Sequence, residues 1–131
     1  MDFFVGQCAE NSIIILEKNV RDFANICGDF NPIHLNENYA ENSIFKKRIA
    51  HGAMINAFIS TVLGMQLPGK GTIYLSQESR FKRPVYIGDT ICVQVKILDI
   101  NEKRHSHLET IVKNQDDKIV LEGVAYVILP E

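Results

Sequence analysis

Apolar and polar positions change their spacing several times along the chain, and each change marks an element. Residues 6–16 close on the β-branched run Ile13-Ile14-Ile15-Leu16, which predicts a first strand. Val20, Phe23, Ala24 and Cys27 then fall at helical spacing and give residues 19–27 one apolar face. Gly28 is placed to end that helix, and Asn36 to cap a brief one through Tyr39 and Ala40. From Gly52 to Gly69 no residue is charged, which predicts a helix running to about Met65 that is apolar on nearly every side. Leu67-Pro68-Gly69-Lys70-Gly71 breaks it.

After this break the period becomes two. Ile73, Leu75, Gln77, Ser79 and Phe81 alternate with Tyr74, Ser76, Glu78, Arg80 and Lys82, so one face is moderately apolar and the other charged. Ile91, Val93, Val95 and Ile97 repeat the pattern, Leu108, Thr110 and Val112 continue it, and residues 118–129 form a last strand. Turns are expected at Tyr86-Ile87-Gly88-Asp89 and Asn114-Gln115-Asp116-Asp117. The expected class is α+β: a curved antiparallel sheet wrapped around the long apolar helix, the simplest way to bury it. Exposed sheet edges favour pairing with a second copy.

Composition narrows the picture. The length of 131 residues fits a single domain over 1–131, with no repeat, linker or low-complexity stretch. The uncharged segment approaches a membrane span of roughly 18 to 20 residues, but Asn56, Ser60, Thr61 and Gln66 make it a poor one. A net charge of −2 leaves no basic footprint for nucleic acid. Three cysteines without paired spacing point to a reduced, cytoplasmic protein with no zinc module. Met1-Asp2-Phe3-Phe4 lacks the basic start and apolar run of a signal peptide.

The candidate chemistry lies in the hexapeptide Asp29-Phe30-Asn31-Pro32-Ile33-His34. The Asn-Pro step favours an extended or turned backbone at Asn31, so the carboxylate and the imidazole can converge and hold a water between them. Gly52, at the start of the long helix, offers its N–H as an oxyanion donor. Each of these has a plainer reading, as a turn cap and a helix-start glycine. His51 is read as structural, a partner for a neighbouring backbone group. His105 and His107 share a strand face without a third metal ligand, and a solvated face explains them.

In this order and spacing, Asp29-Phe30-Asn31-Pro32-Ile33-His34-Leu35, Ile49-Ala50-His51-Gly52, Leu67-Pro68-Gly69-Lys70-Gly71 and Ser79-Arg80-Phe81-Lys82-Arg83-Pro84-Val85 before Gly88-Asp89 carry a resemblance. From about Val5 to Pro130 the chain is similar to the (R)-specific enoyl-CoA hydratases, the MaoC-type branch of the hot-dog-fold dehydratases. The resemblance implies a hot-dog fold, a homodimer, and reversible hydration of trans-2-enoyl-CoA to (R)-3-hydroxyacyl-CoA, with no metal or redox cofactor. It implies that Asp29 and His34 bind the catalytic water, that Asn31 orients the group, and that the Gly52 N–H meets the thioester carbonyl. Ala53 departs from the methionine common after the His-Gly pair, which bears on the acyl pocket.

On this reading Lys46, Lys47, Arg48, Arg80, Lys82 and Arg83 are candidates for the phosphates of an acyl-CoA, against a plain solvated role. Asn56, Ser60 and Leu63 share a helical face and are candidates for the acyl-pocket wall, against core packing. The other function classes are a dehydratase acting on an acyl carrier protein thioester, a hot-dog thioesterase and a non-catalytic acyl-CoA-binding module.

Overall fold

The computed structural model describes residues 2–131. Its elements are β1 (Cys8–Ile14), α1 (Glu17–Cys27), α2 (Pro32–Leu35), α3 (Glu37–Glu41), α4 (Gly52–Met65), β2 (Ile73–Phe81), β3 (Thr90–Ile100), β4 (His105–Lys113) and β5 (Ile119–Ile128). The expected long helix and the strands therefore appear where the periodicity places them. Among the described residues, no helix is long and apolar enough to cross a membrane.

The strands form one antiparallel sheet in the order β1-β3-β4-β5-β2. β3, β4 and β5 follow one another as hairpins, while β2 does not join β3, the next strand in sequence, but crosses the sheet to pair with β5. Register sets three transverse rows on one face: Val93, Val112, Leu121 and Phe81; Val95, Thr110, Gly123 and Ser79; Ile97, Leu108, Ala125 and Gln77. In the first three strands of each row the side chains are buried, apart from the half-buried Gly123; on β2 they are not. A one-residue slip would turn every one of these side chains to the opposite face, so the buried rows fix the pairing.

Helix α4 packs into this face. Met54, Ile55, Ile59, Val62 and Leu63 are buried in one cluster with Ile91, Val93, Val95, Ile97 and Leu108. Burying such a side chain contributes about 1.5–3 kcal/mol, and the helix has no charged face that could compete for water. This arrangement, a sheet folded around a central helix, is the expected hot-dog fold. The helix ends at Met65 because its last carbonyls are taken up locally: Gln66 N–H and Leu67 N–H both reach Val62 O at 2.9 Å, and Gly69 N–H reaches Leu63 O at 2.8 Å.

The non-helical backbone expected at Asn31 leads directly into a short helix. Pro32–Leu35 is a single helical turn, with Asn31 as its cap accepting from Ile33 N–H at 3.3 Å and Pro32 at its first position. Proline suits that place, where its missing N–H would have had no helical partner.

Candidate active site

Gly28 ends α1 in the left-handed region, at φ 79°, and its N–H reaches Ala24 O at 2.8 Å. The chain turns there and delivers Asp29. The Asp29 carboxylate accepts from Asn31 N–H at 3.1 Å, and Asn31 in turn caps α2, so two short-range bonds fix the acid relative to the turn that carries His34. Asn31 thus shapes the turn through the backbone. Asp29 stays exposed while His34, on the inner side of the turn, is buried.

The His34 ring is held by a long-range bond. Its Nδ1 lies 2.8 Å from Ile49 O. A carbonyl only accepts, so Nδ1 carries the hydrogen and the neutral ring presents the lone pair of Nε2. Burial pushes the imidazole below its ordinary histidine value, against the Ile49 bond, which works in the other direction. The neutral acceptor is therefore the resting form near pH 7.

His51 sits behind this pair. Its Nε2 donates to Asp29 O at 3.0 Å, the backbone partner expected from the sequence. Its ring stacks on His34, with centroids 3.9 Å apart and planes at 28°. Ligand atoms of Asp29, His34 and His51 lie within 4.8 Å of one another, close enough to consider a metal. Nitrogen lone pairs lie in the ring plane, however, and stacked rings present them side by side. A zinc at about 2.0–2.1 Å from both nitrogens would stand well out of both planes. The cluster is better built to accept two hydrogens from a water.

Gly52 is the first residue of α4, so its N–H has no carbonyl one turn earlier in the helix. A Cβ at Gly52 would stand 3.0 Å from the Phe81 ring, which leans over it from β2. Gly52, Ala50, Ile55, Phe81, Lys82 and Arg83 line a largely apolar cavity of about 370 Å³. One turn further along α4, Asn56 accepts from Ser79 Oγ at 2.7 Å; Gln77 Nε2 donates to Ser79 Oγ at 2.9 Å and to the buried Thr110 Oγ1 at 3.0 Å. Ser60 is exposed beyond this belt. Leu63 is not a pocket wall in this chain: on the sheet-facing side of α4, it is 1% exposed and packs in the core cluster, while Ser60 and Thr61 on the same turn face outward.

The basic candidates separate. Lys82 and Arg83 border the Gly52 cavity, Lys82 paired with Glu122 at 3.2 Å and Arg83 donating to Ile119 O at 2.7 Å. Arg80 does not reach it; strand alternation sends it to the other face of β2, beside Leu98 and Glu109. Lys46, Lys47 and Arg48 border a second cavity of about 450 Å³ with Glu17, Glu41 and Tyr86. Lys47 Nζ lies 4.6 Å from the Tyr86 ring centroid.

Arg48 is a correction to the expectation of a phosphate ligand. Its guanidinium points inward, donating from Nε to His34 O at 2.7 Å and from Nη2 to Glu17 at 2.8 Å. Arg21 and Arg48 hold the Glu17 carboxyl down at about 2. Nothing in a Lys-Lys-Arg run signals that its third member is buried. Arg48→Met is expected to cost about 1–3 kcal/mol at pH 7, mostly by stripping the donor from the His34 carbonyl. Glu17 is half-exposed, so its ion pair carries less than about 1 kcal/mol. A carboxyl lowered by folding stabilises above its unfolded value near 4.5 and ceases to as pH falls toward about 2. Urea denaturation of both proteins at pH 7 and pH 3 should show the gap narrowing slightly at the lower pH; a wider gap would refute the assignment.

Comparison with known proteins identifies the family. Residues 6–119 match the family model described as MaoC like domain. The chain is 42% identical over 130 residues to the (R)-specific enoyl-CoA hydratase of Rhodospirillum rubrum, covering 98% of this chain and 90% of that protein. It superposes on the unliganded R-hydratase PhaJ1 of Pseudomonas aeruginosa with a TM-score of 0.95 at 43% identity, over 98% of this chain and 83% of that one. The Aeromonas caviae (R)-hydratase involved in PHA biosynthesis gives a TM-score of 0.95 at 38% identity, over 98% of each chain. Sequence and fold agree: the chain belongs to the MaoC-like domain family.

Proposed function

We propose that this chain is an (R)-specific enoyl-CoA hydratase, a hydro-lyase that adds water reversibly to trans-2-enoyl-CoA. One observation carries the reading: an Asp29 carboxylate oxygen and a ring nitrogen of the neutral His34 lie within 4.8 Å of each other and of His51, which leads directly into the helix-start N–H of Gly52. A water bound there donates one hydrogen to Asp29 and the other to His34 Nε2. As its oxygen bonds to the β-carbon, Asp29 takes a proton and the alkene electron pair moves toward the thioester carbonyl. The enolate-like oxygen accepts from the Gly52 N–H, a contribution on the order of 10²–10³-fold for one donor. The proton then returns to the α-carbon through the Asp29 and His34 pair, so hydroxyl and hydrogen are both supplied by the one water.

In this reading the cavity beside Gly52 takes the thioester, with Asn56 and Ser60 along the acyl side. Lys82 and Arg83 face the CoA phosphates, and Lys46 and Lys47 are secondary candidates. The chain acts as a homodimer, supported by the edge strand β2, whose Ile73, Leu75 and Phe81 are exposed. A single domain in the cytoplasm completes the picture; the free Cys8, Cys27 and Cys92 suit a reducing compartment.

Crotonyl-CoA tests the proposal. Loss of the conjugated enoyl-thioester absorbance, formation of the (R)-alcohol and no free thiol are expected. The acid limb of kcat/KM should fall below the ordinary histidine value, because protonating His34 removes the acceptor and burial lowers its pKa. A folded protein that turns over neither crotonyl-CoA, longer enoyl-CoA nor carrier-protein thioesters refutes hydration, and release of thiol points to a thioesterase.

A further inference from the structure

On the hydratase reading, we propose that His51 is a positioning residue, one imidazole that holds the backbone of Asp29 and the ring of His34 in register with each other and with Gly52. Three observations carry it. His51 Nε2 donates to Asp29 O at 3.0 Å, which orients the peptide unit leaving the acid. The His51 ring stacks on His34 at 3.9 Å, which fixes the plane in which His34 Nε2 offers its lone pair. And His51 is bonded directly to Gly52, so the oxyanion donor is in the next peptide unit.

Fold requirements alone do not account for an imidazole here. His51 is 1% exposed, and it precedes α4 without making a side-chain cap hydrogen bond. Its Nδ1 is buried with no hydrogen-bond partner among the described residues, an arrangement that costs about 1–3 kcal/mol. An apolar ring would fill the same space against Phe23, whose centroid is 5.0 Å away, without that loss. What only an imidazole supplies is a flat face for His34 together with a donor for Asp29. Asp29, His34 and Phe23 face it, with Arg48 and Glu17 on the far side of the His34 turn.

Two substitutions separate the contributions. His51→Phe keeps the ring and removes the donor; His51→Gln keeps an amide donor at the reach of Nε2 and removes the stack. Small displacements of reacting groups cost up to about 10²-fold in rate. His51→Phe is expected to lower kcat by about 10–100-fold with KM nearly unchanged, and His51→Gln to recover part of that loss, both folded by circular dichroism. Substrate binding and overall stability alone would move KM or the melting temperature instead. His34 ring resonances followed by NMR across pH give a readout independent of turnover: the midpoint should rise in both variants, because His51 helps to keep it low. Wild-type kcat in a folded His51→Phe variant, or a His34 midpoint unmoved in both, overturns the proposal. If wild type itself hydrates no enoyl thioester, the hydratase reading fails first, and the NMR titration still decides whether His51 holds His34. If His51→Phe does not fold, His51→Gln alone decides through its kcat, KM and His34 midpoint.

Discussion

Asp29→Asn yields a folded protein whose hydration rate is lower by about 10²–10⁴-fold, the range for loss of a positioned base. The substitution is close to isosteric, and the turn does not depend on the charge. An asparagine oxygen accepts from Asn31 N–H as the carboxylate does at 3.1 Å, and the His51 bond goes to the Asp29 backbone. His34 keeps its Ile49 tether, so a water can still be bound. What is lost is the ability to take the proton as the oxygen attacks. The variant should therefore melt within a few degrees of wild type and bind crotonyl-CoA with little change, while kcat collapses. Residual activity within threefold of wild type would remove Asp29 from the base role and leave His34 as the only acid–base group.

Gly123→Ala tests the other end of the site, through the fold. A Cβ at Gly123 would lie 1.9 Å from Glu78 O and 3.0 Å from Ser79 Cα, both backbone atoms of β2. At Gly52 the nearest atoms belong to the Phe81 ring, which can swing aside; here a strand must move. Overpacking of this kind costs about 1–3 kcal/mol, and a backbone obstacle places the change at the upper end. Displacing β2 also disturbs what it carries toward α4: Gln77 on Thr110, Ser79 on Asn56 and Phe81 over Gly52. The urea midpoint should drop by the corresponding amount and KM for crotonyl-CoA should rise together with it. Stability within about 0.5 kcal/mol of wild type would show that β2 yields at Gly123 at little cost and would refute the prediction.

Much of the site was legible because its signals are local. The uncharged run starting at Gly52 gave α4 its bounds, Gly28 marked the end of α1, and Asn36 caps α3 by accepting from Tyr39 N–H at 2.9 Å. The convergence of Asp29 and His34 followed from a proline that cannot continue a helix behind it. The unread features are those in which distant segments meet. Strand periodicity reports which face a residue takes but not which strand lies beside it, so the crossing of β2 to β5 had no sequence signal. Helical spacing puts Leu63 on the face of Asn56, but it does not tell that Leu63 is buried in the core cluster while Ser60 on the same turn is exposed. Arg48 left no trace of its inward turn, because its partners, Glu17 and the His34 carbonyl, are far from it in sequence.

The strand order also constrains how the chain assembles. β3, β4 and β5 are joined by short turns and can zip together early, whereas β1 must wait for β3, far along the chain, and β2 must reach back across the finished hairpins. Closing those loops costs entropy before α4 rewards it with buried surface. Every residue given an acid–base, oxyanion or positioning role, from Asp29 to Gly52, lies in the segment between β1 and β2 that the late pairings enclose. The active arrangement is thus among the last parts of the molecule to be completed, and a chain stalled at the three-stranded stage holds much of its sheet and none of its catalytic geometry.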